Sequence, residues 1–543
     1  MRAVRPPAKP APLRVLNYAV NGLGLGHLTR LIAINRQIRR LAALLGIPTE
    51  ILFLTSNEGD ALAYQHGFAS FKIPSKSALV ACGLDPVRHR KISKQWVWNA
   101  INLISPDLLI VDTFPMGGFG ELFDVLDLGS KNVFIYRAVR PQAALAPAFQ
   151  SALRGYHLLL KPEEQHENDS PVPQGLEERV ATTREILIRS VAETLPRAAA
   201  REMLGIPPDA SAAVYVSVGG GGDREAEALF ATVVEAARRM PSTAFCVGAG
   251  ALYRGREFPA PNVTWTRRPV MMECFRAFDA ALSAGGYNTV NELMHCGVPC
   301  VFLPQARTHD DQERRVARCI RAGAGVLLGE RTPAAMEAAL NGLLEPEVQR
   351  RASEAASRFV PGNDALSAAS EILSLTVDRL LVEDAALLAD PALLFSALED
   401  VANETGEADF LAVAHQVWNL VGGANDEDGA AAITEATCRC LRESEKLGVS
   451  RGRLLGALRR SAKTILAAAQ AASAPENDPD KTFVPPSPER LIGEALRTLA
   501  ESADGEVVVL PPVIAPAGVS AVPGRLSPSL VAGAFEQNGE PGQ

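Results

Sequence analysis

Two groups of residues in this chain have the types and spacing to do chemistry. In the first, His27 follows the last glycine of Asn21-Gly22-Leu-Gly24-Leu-Gly26-His27-Leu-Thr-Arg30, and Asp112 ends the apolar run at residues 108–111. An imidazole or a carboxylate at the end of a buried strand can take the proton of a hydroxyl that attacks as a nucleophile. Either His27 or Asp112 fits that role; otherwise His27 caps its loop, Asp112 caps its own turn, and Arg30 lies on a solvated helix face. The second group is Gly285-Gly286-Tyr-Asn288-Thr289-Val-Asn-Glu292, with Gln312 at the start of a later helix. Glycines let the backbone approach a ligand closely, and the unpaired amides of a helix N-terminus favour an anion. The expected occupant is a diphosphate. Glu292, one turn into the helix, can accept hydrogen bonds from vicinal hydroxyls such as those of a ribose.

The elements that must position these residues follow from hydrophobic periodicity. Residues 15–20 read as a buried strand, and Leu28, Leu31, Ile32, Ile38, Leu41 and Leu45 then recur at helical spacing. The first glycine run is therefore a strand-to-helix loop. It is not a dinucleotide site, because the strand at residues 51–54 ends in Thr55-Ser56-Asn57, with no acidic residue to hold an adenosine ribose. A third loop of this kind follows the strand at residues 214–218, with Gly219, Gly220, Gly221 and Gly222 before Asp223. Consecutive glycines can present several amides to a phosphate. Residues 267–271, Arg-Arg-Pro-Val270-Met271, precede a short apolar helix at residues 272–278. In open α/β sheets ligands bind beyond the carboxyl ends of the strands, so the loops should line one cleft between two doubly wound domains.

The wording Gly-Gly-Tyr-Asn-Thr-Val-x-Glu-Leu resembles the donor half of family 28 glycosyltransferases, which have the GT-B fold. The Gly-x-Gly-His-x-x-Arg pattern is similar to the acceptor-side loop of the same enzymes, and closer still to a group of predicted bacterial glycosyltransferases. The resemblance implies a nucleotide diphosphate donor, a UDP-sugar such as UDP-N-acetylglucosamine, and a single inverting displacement without cofactor or metal. It implies that Gly22, Gly24, Gly26 and Arg30 form the acceptor or phosphate loop. Gly219, Gly220, Gly221, Asn288, Thr289 and Gln312 would contact the donor, with Val270 and Met271 beside its base. Arg267 or Arg268 could neutralise the leaving diphosphate. The family's Ser or Gln in the third loop is replaced here by Gly222 and Asp223. The acceptor is unnamed, with lipid-linked and glycan acceptors both open. Competing readings are a nucleotide-sugar hydrolase or epimerase of the same fold, marked by free sugar released without acceptor, and a degenerate scaffold that only binds.

Composition agrees with a large α/β protein. At 543 residues, 47% hydrophobic and 21% charged, the chain exceeds one core. The expected map is a disordered arm at 1–12, an acceptor-side Rossmann-like domain at 13–190, and a donor domain at 196–375. An all-α extension at 376–474, able to dock a partner or make a dimer, and a largely disordered tail at 475–543 complete it. The first residues lack the apolar core of a signal peptide, no run is long enough to span a bilayer, and the cytoplasm is the expected compartment. A net charge of −8 argues against nucleic acid. The first crossover helix carries Arg36, Arg39 and Arg40 beside Ile34, Ile38 and Leu41, a face that could touch the inner surface of a membrane, or simply dock on its own sheet with snorkelling arginines. Eight cysteines and eight histidines give no metal-ligand spacing, and the acidic pairs Asp426/Asp428 and Asp478/Asp480 lie in polar loops.

Overall fold

The computed structural model describes residues 11–20, 24–123, 125–139, 141–162, 170–218, 226–250, 253–305 and 311–389, together with Ala397, Thr437, Cys438, 454–457 and Arg460. The remainder of the expected helical extension, and the tail, lie outside the described residues.

Two parallel sheets organise the chain. The first contains β1 (Leu13–Ala19), β2 (Thr49–Thr55), β3 (Ala69–Lys72), β4 (Leu108–Asp112), β5 (Lys131–Ile135), β6 (Leu158–Pro162) and β7 (Val180–Thr183) in the order β3-β2-β1-β4-β5-β6-β7. The second contains β8 (Ala212–Ser217), β9 (Thr243–Gly248), β10 (Val263–Thr266), β11 (Ala280–Ser283), β12 (Cys300–Phe302) and β13 (Gly325–Leu327) in the order β10-β9-β8-β11-β12-β13. The strands are near-continuous apolar runs because both faces of each sheet are covered by helices. Leu16, Leu109, Val111 and Phe134 anchor one core, and Val214, Val216, Phe245 and Leu282 the other. This is the expected α/β class, a pair of doubly wound domains in the GT-B manner.

In both sheets the strand order reverses once, between β1 and β4 and between β8 and β11. That reversal opens a crevice at the carboxyl ends of the strands. His27 follows β1 and Asp112 ends β4, while Gly219 follows β8 and Gly285 follows β11. All three glycine loops singled out in the sequence thus leave a strand that flanks a reversal.

The chain crosses between the domains twice. The helices Pro333–Leu344 and Pro346–Phe359 belong to the second domain, but Ala365–Leu373 and Arg379–Ala389 both pack on the helix Gly26–Leu44 of the first. Asn363 ties the two crossings together. Its Oδ1 accepts from the Leu187 amide at 3.0 Å, and its Nδ2 donates to the carbonyls of Leu187 and Arg189 at 2.9 and 3.0 Å.

Of the two readings of Gly26–Leu44, a membrane face and a docked helix with snorkelling arginines, the structure has the docked one. Ile34, Ile38 and Leu41 are fully buried under the returning chain. Arg36 is buried and pairs with Glu193 at 2.6 Å, and Arg39 donates to the His66 carbonyl at 3.0 Å while lying over the Phe68 ring. The helix docks inside the protein, with its arginines used as internal ties. The expected apolar helix after Met271 is a 3₁₀ segment, Met272–Ala277.

Candidate active site

Because β1 and β4 are parallel neighbours, the helix start after β1 sits beside the last residue of β4. His27 Nδ1 lies 3.0 Å from Asp112 Oδ1. Arg30, one turn further along the helix, donates from Nη1 to both carboxylate oxygens, at 2.9 and 2.8 Å. Asp112 is fully buried and Arg30 is 1% exposed, so Arg30 is no solvated surface residue. Burial by itself would raise the Asp112 pKa, but Arg30 and then His27 bring it down to about 2. An ionised carboxylate only accepts hydrogen bonds, so the imidazole proton sits on Nδ1 and the basic lone pair of the neutral ring on Nε2. This arrangement lets Asp112 orient the imidazole and leaves Nε2 as the nitrogen able to accept a proton.

The backbone around Asp112 is strained. Thr113 has φ of 66°, an uncommon conformation for a β-branched residue, and the Phe114 amide donates to the Asp112 carbonyl at 2.8 Å, closing a γ-turn. The Thr113 hydroxyl donates to Asp112 Oδ1, and the Phe114 ring lies 5.6 Å from the imidazole. Sequence reasoning left Thr113 and Phe114 out of the site. Glu121 lies in a turn and accepts from the amides of Gly118 and Phe119, both at 2.8 Å, and from the Tyr18 hydroxyl. It holds the loop after Asp112 in place.

Asn57, the residue whose lack of charge excluded a dinucleotide, anchors the first glycine loop. Its Nδ2 donates to the Gly24 carbonyl at 2.6 Å. Gly26 begins the helix, and a Cβ there would come 3.8 Å from the Asn288 carboxamide of the other domain. Gly22 lies outside the described residues.

On the donor side, Gly285 has φ of 89°, and a Cβ there would come 2.8 Å from Val316. Both space and conformation demand glycine. Gly286 caps the helix Tyr287–His295, and a Cβ added there meets nothing within 4 Å, so its surface borders open space. Buried Arg315 donates to the Gly285 carbonyl at 2.8 Å and fixes the turn. Asn288 and Thr289 are half-buried, and Asn288 Nδ2 reaches the Gly26 carbonyl across the cleft at 3.4 Å.

Glu292 is 8% exposed, and its carboxylate makes no hydrogen bond or ion pair among the described residues. Burial raises its carboxyl pKa to about 8. Gln312 accepts from the Gln305 amide at 3.0 Å, and Gln305 in turn donates to the Val218 carbonyl at 3.0 Å. The Gln312 oxygen thus organises the rim between two loops. Val270 is half-buried and Met271 buried, immediately before the 3₁₀ segment. Gly219, Gly220 and Gly221 lie outside the described residues.

Arg267 and Arg268 are engaged elsewhere, with Glu257 at 2.7 Å and Glu273 at 2.6 Å on the surface. Three other arginines gather at the cleft. The guanidinium carbons of Arg30, Arg137 and Arg315 lie 4.9, 4.3 and 5.5 Å from the centre of the Tyr287 ring. No pattern in the sequence pointed to Arg137 or Arg315.

Over 140 residues, 24% of this chain and 37% of the relative, the sequence is 30% identical to a curated protein of Nocardioides sp. called UDP-N-acetylglucosamine--N-acetylmuramyl-(pentapeptide) pyrophosphoryl-undecaprenol N-acetylglucosamine transferase. This chain resembles the family 28 N-acetylglucosaminyltransferases. A Geobacter metallireducens protein of the same description is 34% identical over 61 residues, 11% of this chain and 17% of the relative. The chain therefore spans 37% and 17% of the length of these curated relatives. No family model matches it. Among solved structures, the calicheamicin glycosyltransferase CalG4 is 17% identical with a TM-score of 0.47, covering 68% of this chain and 100% of its own. MurG of Acinetobacter baumannii is 16% identical with a TM-score of 0.41, covering 66% and 97%.

Proposed function

We propose that this protein is a glycosyltransferase that moves a sugar from a UDP-sugar, of the UDP-N-acetylglucosamine kind, to an acceptor hydroxyl with inversion at the anomeric carbon. One observation carries the reading: a His–Asp pair on one domain faces a glycine-capped helix start and an unpartnered carboxylate on the other. The contact between Asn288 and Gly26 spans that cleft. The positive ends of two helices, Gly26–Leu44 and Tyr287–His295, converge there, which favours a diphosphate. Glu292 would accept from the ribose hydroxyls.

In the reaction, His27 Nε2 takes the acceptor proton while the acceptor oxygen bonds to the anomeric carbon. The bond from that carbon to the diphosphate oxygen breaks, and the electron pair leaves with UDP. Asp112 stabilises the imidazolium, and the amides of the Gly285–Gly286 turn with the nearby arginines meet the charge on the leaving group. The scheme calls for no metal and no cofactor. The test is UDP release from UDP-N-acetylglucosamine against a panel of lipid-linked and glycan acceptors. Acceptor-dependent release that falls by roughly 10²–10⁴-fold in His27→Ala, with UDP binding retained, supports transfer. Equal release without acceptor points to hydrolysis, and no UDP binding at all points to a scaffold.

A lipid-linked acceptor would require contact with a bilayer. No helix among the described residues is long and apolar enough to cross one. A peripheral face is available on the helices Lys76–Ala81 and Pro86–Ile104, where Val80, Ile92, Trp96 and Leu103 are 61%, 51%, 58% and 85% exposed. Exposed Arg88, Arg90 and Lys91 lie on the same stretch of a chain whose net charge is −8, which complements an anionic headgroup layer. Trp98 donates to the Glu121 carbonyl at 2.6 Å, joining this helix to the loop that follows Asp112. Sedimentation with phosphatidylglycerol vesicles, lost in Trp96→Glu and absent with phosphatidylcholine, is the expected result; sedimentation unchanged by Trp96→Glu would contradict it.

A further inference from the structure

Tyr287 is the first residue of the donor helix, directly after Gly286, and its side chain is buried against the opposite domain. Arg30 and Arg137 of the first domain lie against its ring at 4.9 and 4.3 Å, and Arg315 of its own domain at 5.5 Å. The electron-rich ring face attracts guanidinium groups, so an aromatic here gathers three cations that would otherwise repel one another. Two of the three have a second attachment that matters. Arg315 donates to the Gly285 carbonyl at 2.8 Å, while Arg30 holds both oxygens of Asp112 through one nitrogen. Asp112 in turn sets the imidazole of His27 at 3.0 Å.

The contacts form one continuous path: Gly285, Arg315, Tyr287, Arg30, Asp112, His27. It begins in the turn that faces the donor and ends on the ring that faces the acceptor. We infer that Tyr287 is a positioning residue that couples occupancy of the donor turn to the placement of the His27–Asp112 pair. This rests on the donor-site reading above. A diphosphate seated on the Gly285–Gly286 turn fixes the helix start, and the Tyr287 ring moves with it. The ring holds the guanidinium of Arg30, whose position decides where the buried carboxylate and the imidazole stand. The ring face is the essential feature, so phenylalanine should serve where an aliphatic side chain does not.

The test is hydrogen exchange by mass spectrometry on the full chain, with and without UDP, read at residues 285–292 and at 112–119. In the wild type UDP should slow exchange in both segments, the second on the order of ten-fold, which corresponds to a coupling of about 1.4 kcal/mol. Tyr287→Leu should keep the slowing at 285–292 and lose it at 112–119, and Tyr287→Phe should restore both. Tyr287→Met, flexible enough to fill the same space, is run beside the leucine variant and should behave like it. Slowing at 112–119 that persists in both aliphatic variants overturns the inference, as does its absence in a wild type whose donor turn responds. Loss of UDP binding in both aliphatic variants, with unchanged melting, makes Tyr287 a binding residue and also overturns the coupling. A wild type in which UDP protects neither segment sinks the donor-site reading instead.

Discussion

The two halves of the cleft handle buried charge in opposite ways. On the first domain Asp112 is fully enclosed, and every nearby group answers it: Arg30 on both oxygens, His27 on one, and the Thr113 hydroxyl. On the second domain Glu292 is almost as deeply buried, yet no described residue hydrogen-bonds to its carboxylate. The same physics gives opposite outcomes, a carboxyl pKa held down to about 2 by Arg30 and His27 despite burial, and one pushed up to about 8 by burial alone. A charge satisfied within the fold orients chemistry, whereas a carboxylate left without partners awaits a ligand.

Removing either carboxylate should therefore have opposite effects on the empty protein. Asp112→Ala strands the Arg30 guanidinium in the interior, and a loss of roughly 3–5 kcal/mol in unfolding free energy is expected by denaturant titration. The folded pKa of Asp112 lies below the unfolded value of about 3.9, so its stabilisation is complete above that pH and fades as pH falls through about 2. A neutral result for this variant would show that the pair is not a structural charge centre.

Glu292→Gln should instead stabilise the empty protein. The folded pKa of Glu292 is raised above the unfolded one, so its contribution is intact below about pH 4.3 and lost as pH rises through about 8. At pH 8 and above the variant should unfold with a free energy greater by on the order of 2–4 kcal/mol. Melting that tracks the wild type from pH 5 to 9 would mean that Glu292 has partners in solution.

The smallest effect on folding is expected at Gly286, where an added side chain enters open space. Gly286→Val should leave the melting temperature within about 2 °C while weakening UDP binding by more than about ten-fold, because its methyls occupy the space of the phosphates. Unaltered UDP affinity would place the diphosphate elsewhere.

The architecture and the glycine turns were legible in the sequence because they rest on local physics. Apolar runs mark parallel strands, helical spacing marks the crossover helices, and a glycine run between them marks a turn. What escaped was set by distance along the chain. Arg30 and Asp112 are separated by 82 positions and meet only because β1 and β4 are neighbours in the sheet. Arg137 and Arg315 stand in no motif, and the fold alone brings them to Tyr287. The Gly26–Leu44 helix was open to two readings for a related reason. Its alternation of arginine and aliphatic residues suits a membrane face as well as a docked one, and nothing local reveals that Ala365–Leu373 returns to cover it.

The most direct test of the central claim, that Glu292 and the Gly285–Gly286 turn form a nucleotide diphosphate site facing the His27–Asp112 pair, is calorimetry of UDP binding from pH 6 to 9. Wild type and Glu292→Gln should be titrated in two buffers of different ionisation enthalpy. The ribose hydroxyls need the ionised carboxylate, so wild-type affinity should rise toward pH 8 with release of a proton on binding. The variant should bind on the order of ten-fold more weakly, with no pH dependence from this group. Absence of UDP binding, or identical affinity and proton release in the two proteins, would contradict the account.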